Sequence, residues 1–187
     1  MNSKISISVP CGIIDWLKLL RLYFAAFPRA ERKPFSRIYN MYRRGKSDIW
    51  CICRGGVFAG FATTVNSPDV ILLDYLAISS DHRGEGIGSA AMELFKDKYK
   101  GKGFFVEIES PFEDCPDKEA RKKRREFYIH SGMEPMNVMA EVFGVKMELL
   151  GIGCLFDFEG YKAFYRDHYS EWASEHVLYE KHPDEES

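Results

Sequence analysis

The protein has 187 residues, with 26 Lys and Arg against 28 Asp and Glu, a net charge of −2 and a pI near 6.2. That length makes one domain the default, and 14 Phe, 10 Tyr and 3 Trp supply a sizeable apolar core. So balanced a charge argues against a nucleic-acid partner recognised through global electrostatics.

The five cysteines, Cys11, Cys51, Cys53, Cys115 and Cys154, are odd in number and form no Cys-x-x-Cys pair. They read as reduced thiols of a cytoplasmic protein. Cys and His are too scattered for a zinc site, so no metal is expected. The most apolar early run, residues 13–27, is interrupted by Asp15, Lys18 and Arg21. It reads as an amphipathic helix and not a membrane span, and no signal peptide or membrane partner is expected.

From the N-terminus onward, Ile5, Ile7 and Val9 alternate with Ser6 and Ser8, as in a strand that ends at Pro10 and Gly12. The next helix carries Ile13, Leu17, Leu20 and Phe24 as its apolar stripe, widened by Trp16, Leu19 and Tyr23. Residues 28–34 form a charged loop between two prolines, and a shorter helix spans about 34–44. Residues 49–54 pair through Gly55-Gly56 with 57–65, and a turn at 66–69 leads into the apolar run 70–78, giving an antiparallel meander. A helix follows over about 86–98, burying Ile87, Ala91, Leu94 and Phe95, and then a strand over 104–109. The helix between strands 70–78 and 104–109 makes them candidates for parallel neighbours. A Pro- and acid-rich loop at 111–118 precedes a helix over 119–131, a hairpin of 137–143 and 145–150, and one aromatic helix over 156–172. Residues 180–187 read as a frayed acidic tail. The whole is a mixed α/β domain, an antiparallel N-terminal half joined to a βαβ unit.

Between strand 70–78 and its helix lies Arg83-Gly84-Glu85-Gly86-Ile87-Gly88. A strand, a glycine-spaced turn and a helix N-terminus together make an anion site: unpaired N–H groups point outward, the helix dipole favours negative charge, and glycine lets a phosphate approach closely. No Gly-Lys-Ser/Thr follows, so this is not a P-loop, and the mid-sequence G-x-G-x-G spacing departs from the dinucleotide fingerprint.

This segment, after Leu76-Ala77-Ile78, resembles the R/Q-x-x-G-x-G/A motif of the GCN5-related N-acetyltransferases (GNAT), and the resemblance extends over residues 5–151. It implies a mixed, mostly antiparallel sheet, split in a V between two parallel strands and flanked by helices. Residues 1–153 would form the acetyltransferase domain, with an extra C-terminal helix and tail, 154–187, in the same domain. The long 111–118 insertion and the extra helix resemble an uncharacterised bacterial subgroup.

The resemblance implies that acetyl-coenzyme A is the co-substrate and an amine the acceptor. Leu76, Ala77 and Ile78 would hold the pantetheine, one N–H polarising the thioester carbonyl. Arg83, Gly84, Glu85, Gly86, Ile87, Gly88 and Ser89 would hold the pyrophosphate. The segment Phe127-Tyr128-Ile129-His130-Ser131-Gly132-Met133 resembles the family's F-Y-x-x-x-G-F, with Met133 for Phe. Tyr128 is then the general acid for the leaving thiolate. Many relatives carry an Asn seven residues earlier, where Arg121 stands here. Arg121 and Arg124 are expected to meet coenzyme phosphate or an acidic substrate.

Three carboxylates compete as general base: Glu107, first in rank because amino-terminal acetylases of this fold carry a glutamate there; Asp74, where some relatives keep a histidine; and Glu109, on Glu107's face of the strand. Each is expected to face a wet cavity, because an unpaired carboxylate in an apolar strand is costly. The family's acceptor wall makes Tyr23, Phe27, Arg29 and Arg32 substrate candidates; a solvated loop over packed aromatics is the competing reading. The function expected is N-acetylation by direct attack in a ternary complex, the enzyme being a monomer or homodimer. The alternatives are a non-catalytic acyl-coenzyme A sensor and an enzyme using a longer acyl donor.

Overall fold

The structure, a computed structural model, describes residues 4–29 and 32–182. The described residues form eight strands and six α-helices in the order β1(Ile5–Ser8), α1(Ile13–Ala26), α2(Phe35–Arg43), β2(Ser47–Arg54), β3(Val57–Asn66), β4(Val70–Ile78), α3(Ile87–Lys98), β5(Gly103–Glu109), α4(Lys118–His130), β6(Glu134–Val142), β7(Val145–Ile152), α5(Phe158–His168), α6(Glu171–Glu175) and β8(Val177–Glu180). The protein divides into two compact units, Met1–Lys100 and Gly101–Ser187.

In the first unit β1 to β4 form an antiparallel meander. Alternation provides each face with its own helices. Ile49 packs with Leu19, Tyr23, Ile38, Phe61, Tyr75 and Ala77, the core beneath α1 and α2. Its neighbour Trp50 points the other way and meets Phe95 of α3, with ring centroids 6.2 Å apart. Gly60 faces Ile78 across the β3–β4 ladder, and a Cβ there would lie 2.5 Å from the Ala77 carbonyl oxygen. Only glycine lets β3 pass so close to the end of β4.

The β3–β4 register slips by one residue: Thr63 opposes Tyr75, Thr64 opposes Leu73, and Asp74 is the extra residue of a β-bulge. A bulge re-aims side chains. Here it interrupts the alternation of an otherwise apolar strand at its one carboxylate.

The stripe expected on α1 is corrected. Leu19 and Tyr23 are the fully buried residues, whereas Ile13, Leu17 and Phe24 are more than half exposed. The helix is apolar on nearly every side, and the buried face is the one that meets Phe61 and Tyr75. On α3, Met92 is buried beside Ile87, Ala91 and Phe95.

In the second unit the antiparallel order is β5-β7-β6-β8. Two expectations are corrected here. The aromatic segment is two helices, because Ser170 caps α6 by accepting from the Ala173 N–H at 3.1 Å. A further strand, β8, then runs along β6, with Val142 opposite Val177; residues 183–187 of the expected tail lie outside the described residues. Tyr161 and Tyr165 of the aromatic stripe are buried, and Trp172 is exposed.

Candidate functional site

The turn after β4 is built by two left-handed glycines. Gly84 has φ +77° and Gly86 φ +74°, a region that costs a residue with a Cβ about 1–2 kcal/mol. Gly86 is the N-cap of α3, with no side-chain cap on the helix and no acidic residue in its first turn. The first N–H groups of a three-turn helix are thus left to solvent or to an anion. A cleft of about 700 Å³ opens here, lined by Arg54, Glu85, Gly86 and Ala90 among others. Arg83 is exposed and donates from Nε to the Ile78 carbonyl at 3.3 Å. Glu85 is drawn to Arg54 and, at 3.3 Å, to His82; the Arg54 hydrogen bond holds its carboxyl below the usual range. Arg54 is a neighbour that motif spacing cannot reveal, since it arrives from β2.

On the α1 and α2 face of the same unit, Asp74 is not left to a wet cavity. Its Oδ1 takes the Lys33 Nζ at 2.7 Å, with the side-chain atoms of Asp74 9% exposed and those of Lys33 27%. Lys33 is held twice more: its N–H donates to the Tyr75 hydroxyl at 2.9 Å, and its carbonyl accepts from the Tyr23 hydroxyl at 2.6 Å. Burial and the neighbouring Asp74 carboxylate push the Tyr75 phenol well above its ordinary value; burial also raises that of Tyr23. Tyr23 is 1% exposed, so it offers the loop a hydroxyl from below and no open ring face. Phe27 packs on Tyr75 with centroids 4.8 Å apart. Arg29 is exposed, and Arg32 lies over the Phe24 ring at 5.0 Å. Nothing local in the sequence marks Lys33, beside these substrate candidates, because its partners come from α1 and β4.

The second unit holds the other candidates. Glu107 on β5 accepts from the Tyr161 hydroxyl at 2.9 Å and from the Tyr165 hydroxyl at 3.0 Å, so α5 engages both its oxygens. Glu109 takes Arg124 at 3.3 Å and Arg121 at 3.5 Å. Arg121 also bonds Asp117 at 3.0 Å and the Ser110 carbonyl at 3.3 Å, leaving Arg124 the more exposed of the two arginines. All three base candidates are therefore paired, the arrangement that makes a strand carboxylate tolerable. Tyr128 is 6% exposed, and burial pushes its phenol up to about 12, with Arg124 opposing. Among the described residues its hydroxyl has no hydrogen-bond partner, and its ring meets Phe127 at 5.0 Å.

The sequence matches the acetyltransferase (GNAT) family over residues 16–128. This protein belongs to the GNAT acetyltransferase family. Solved structures carry the likeness over both units. A protein described as a GNAT-family acetyltransferase from Bacteroides thetaiotaomicron superposes with a TM-score of 0.74 at 18% identity, covering 91% of the present sequence and 98% of its own. Naa50 of Arabidopsis thaliana, bound to the bisubstrate analogue CoA-Ac-MVNAL, has a TM-score of 0.62 at 12% identity over 80% and 99%. The ribosomal-protein-S18-alanine N-acetyltransferase of Escherichia coli has 0.55 at 14% over 82% and 100%. No curated protein matches the sequence. At these identities the neighbours establish the GNAT fold, a mixed α/β architecture with a mostly antiparallel sheet flanked by helices. The family match ends at Tyr128, so α5, which brings Tyr161 and Tyr165 to Glu107, lies beyond it, as do α6 and β8.

No helix among the described residues is long and apolar enough to cross a membrane.

Proposed function

We propose that this GNAT-family protein transfers the acetyl group of acetyl-coenzyme A to an amine of a small molecule or peptide, by direct attack in a ternary complex in the cytoplasm. The observation that carries the reading is the left-handed Gly84–Gly86 turn at the uncapped N-terminus of α3, in the register of the family's pyrophosphate motif. The α3 N–H groups would hold the pyrophosphate, with Arg83 adding charge. Leu76, Ala77 and Ile78 would offer backbone groups to the pantetheine and one donor to the tetrahedral oxyanion. Naa50 and the S18-alanine acetylase are precedents for acceptors with a peptide amino group.

Tyr128 is the proposed donor to the leaving sulfur. A phenol raised to about 12 stays neutral, so it approaches the thiolate as a hydrogen-bond donor. The thiolate of an ordinary thiol, whose pKa is near ~8.5, is too weak a base to take that proton outright, but a thiolate held in dry surroundings would be a stronger one. The base is assigned among Asp74, Glu107 and Glu109. Asp74 is favoured by its existing contact with an amine; at Glu107 a tyrosine hydroxyl would have to yield first. Direct attack is supported by the thiols. Burial pushes Cys51 up to about 12 and Cys154 up to about 11, and raises Cys53 and Cys115, so none of these is an activated nucleophile.

Thiol release from acetyl-coenzyme A, followed over a panel of amines and peptides, tests the reading. Release that requires an amine and falls in Tyr128→Phe is expected; tight coenzyme binding with no amine-dependent release overturns it.

A further inference from the structure

Asp74 is nearly buried, occupies the extra backbone position of a bulge, and already binds an ammonium. That ammonium ends the unbranched four-carbon stem of Lys33. The Lys33 backbone is fixed by the Tyr23 and Tyr75 hydroxyls, two bonds in which Nζ takes no part. The Lys33 ammonium can therefore leave Asp74 while the backbone stays in place. The Tyr23 and Tyr75 rings that bring these hydroxyls to Lys33 pack against each other and against Phe27. Thr63 lies opposite Tyr75 in the ladder and so shares its face, and its buried hydroxyl has no partner among the described residues. A carboxylate so placed needs a cation, and the one it holds is an unbranched primary ammonium.

We propose that Asp74 is the ammonium-binding carboxylate of the acceptor site. Lys33 occupies it as a tethered stand-in, and the acceptor is an unbranched primary alkylammonium, such as that of a peptidyl lysine or a diamine, that displaces the Lys33 ammonium. This rests on the acetyltransferase reading above and adds the acceptor class and its recognition residue. In the transfer, one ammonium proton leaves through Asp74. The nitrogen bonds to the thioester carbon and the C–S bond breaks. The thiolate takes up a proton, and the remaining excess N–H proton passes to solvent. Lys33 acts through Asp74, as a specificity-determining residue.

The test is chemical rescue. Lys33→Ala removes three carbons and the nitrogen, the size of n-propylammonium. The readouts are the melting temperature and N-propylacetamide formed with saturating acetyl-coenzyme A; n-propanol and propionate serve as controls. Propylammonium should raise the melting temperature of Lys33→Ala where the controls do not, and be acetylated at least about tenfold faster than by wild type. Adding Asp74→Asn should abolish both effects. Lys33→Met, which fills the slot without charge, should show no gain. A brace with no role in recognition would produce thermal rescue without faster acetylation, and that result overturns the proposal. Should Lys33→Ala fail to fold, Lys33→Gln keeps a donor on Asp74. A lower propylamine KM than wild type then supports the proposal, and an equal or higher one overturns it. Coenzyme A binding is measured by calorimetry on the same samples. Binding with amine-dependent turnover but no gain overturns only the acceptor assignment; absence of binding overturns the acetyltransferase reading and this inference with it.

Discussion

Arg125 on α4 donates from Nε to both carboxylate oxygens of Glu148 on β7, at 3.1 and 2.9 Å, and Glu148 is 1% exposed. The pair ties the helix that carries Tyr128 to the sheet of the second unit. Removing one partner of a buried pair leaves the other charge uncompensated, at a cost of about 3–5 kcal/mol for fully buried cases. Arg125 is 31% exposed, so solvent screening lowers that figure. Arg125→Met should cost about 2 kcal/mol in urea denaturation. Arg125→Met with Glu148→Leu should recover most of it, because an apolar pair carries no desolvation cost. A double variant as unstable as the single one would refute this account of the pair.

The three strand carboxylates should separate in kinetics. If Asp74 meets the acceptor, Asp74→Asn should lower kcat/KM by about 10²–10⁴-fold, the range of general-base and charge-recognition losses. Glu107→Gln keeps an oxygen for one tyrosine hydroxyl, and Glu109→Gln leaves Arg121 its bond to Asp117; each should cost about threefold or less in kcat/KM. Steady-state rates on one amine rank them. A Glu107→Gln loss larger than that of Asp74→Asn would return the base to β5.

The elements were legible where local chemistry decides them. The glycine turn, the meander and the α4 segment each announce themselves in a few neighbouring residues. What escaped depends on partners distant in sequence. Asp74 reads as a misplaced carboxylate until the bulge against Thr63 and Thr64 is known. The buried face of α1 is chosen by Phe61 and Tyr75, residues about 40–50 positions away, because the helix has apolar residues on nearly every side. β8 is a four-residue strand made by pairing with β6, a contact no local pattern encodes. Ser170 is the exception: a serine before Glu171 and Trp172 is an N-cap signal, and it marks the break between α5 and α6.

Tyr128 should ionise late. Burial raises its phenol to about 12, against an unfolded value near ~10. Below the unfolded value both states hold the proton, and the stabilisation is fully present. Between about 10 and 12 the unfolded state loses the proton while the folded one keeps it, so stability falls as pH rises. Tyr99, also raised to about 12 by burial, adds to the same window. Absorbance at the phenolate band should lose one late-titrating tyrosine in Tyr128→Phe. In that variant the fall in stability above about pH 10 should be shallower; an unchanged slope would place the phenol in a wetter site than its 6% exposure implies.

Gly86→Ala tests the anion site in two separable ways. The residue has φ +74°, and a Cβ there meets no atom within 4 Å. The protein itself therefore raises no steric objection, and the folding cost is that of a left-handed alanine, about 1 kcal/mol. The methyl group would, however, stand in the space beside the first N–H groups of α3, where a phosphate must come close. Coenzyme A affinity should fall by about tenfold or more, well beyond what the stability loss predicts. Dephospho-coenzyme A, which keeps the pyrophosphate, should lose as much, whereas pantetheine, which lacks it, should bind both proteins alike. Equal losses for coenzyme A and pantetheine would mean that the turn shapes the β4 strand end and does not itself hold the pyrophosphate.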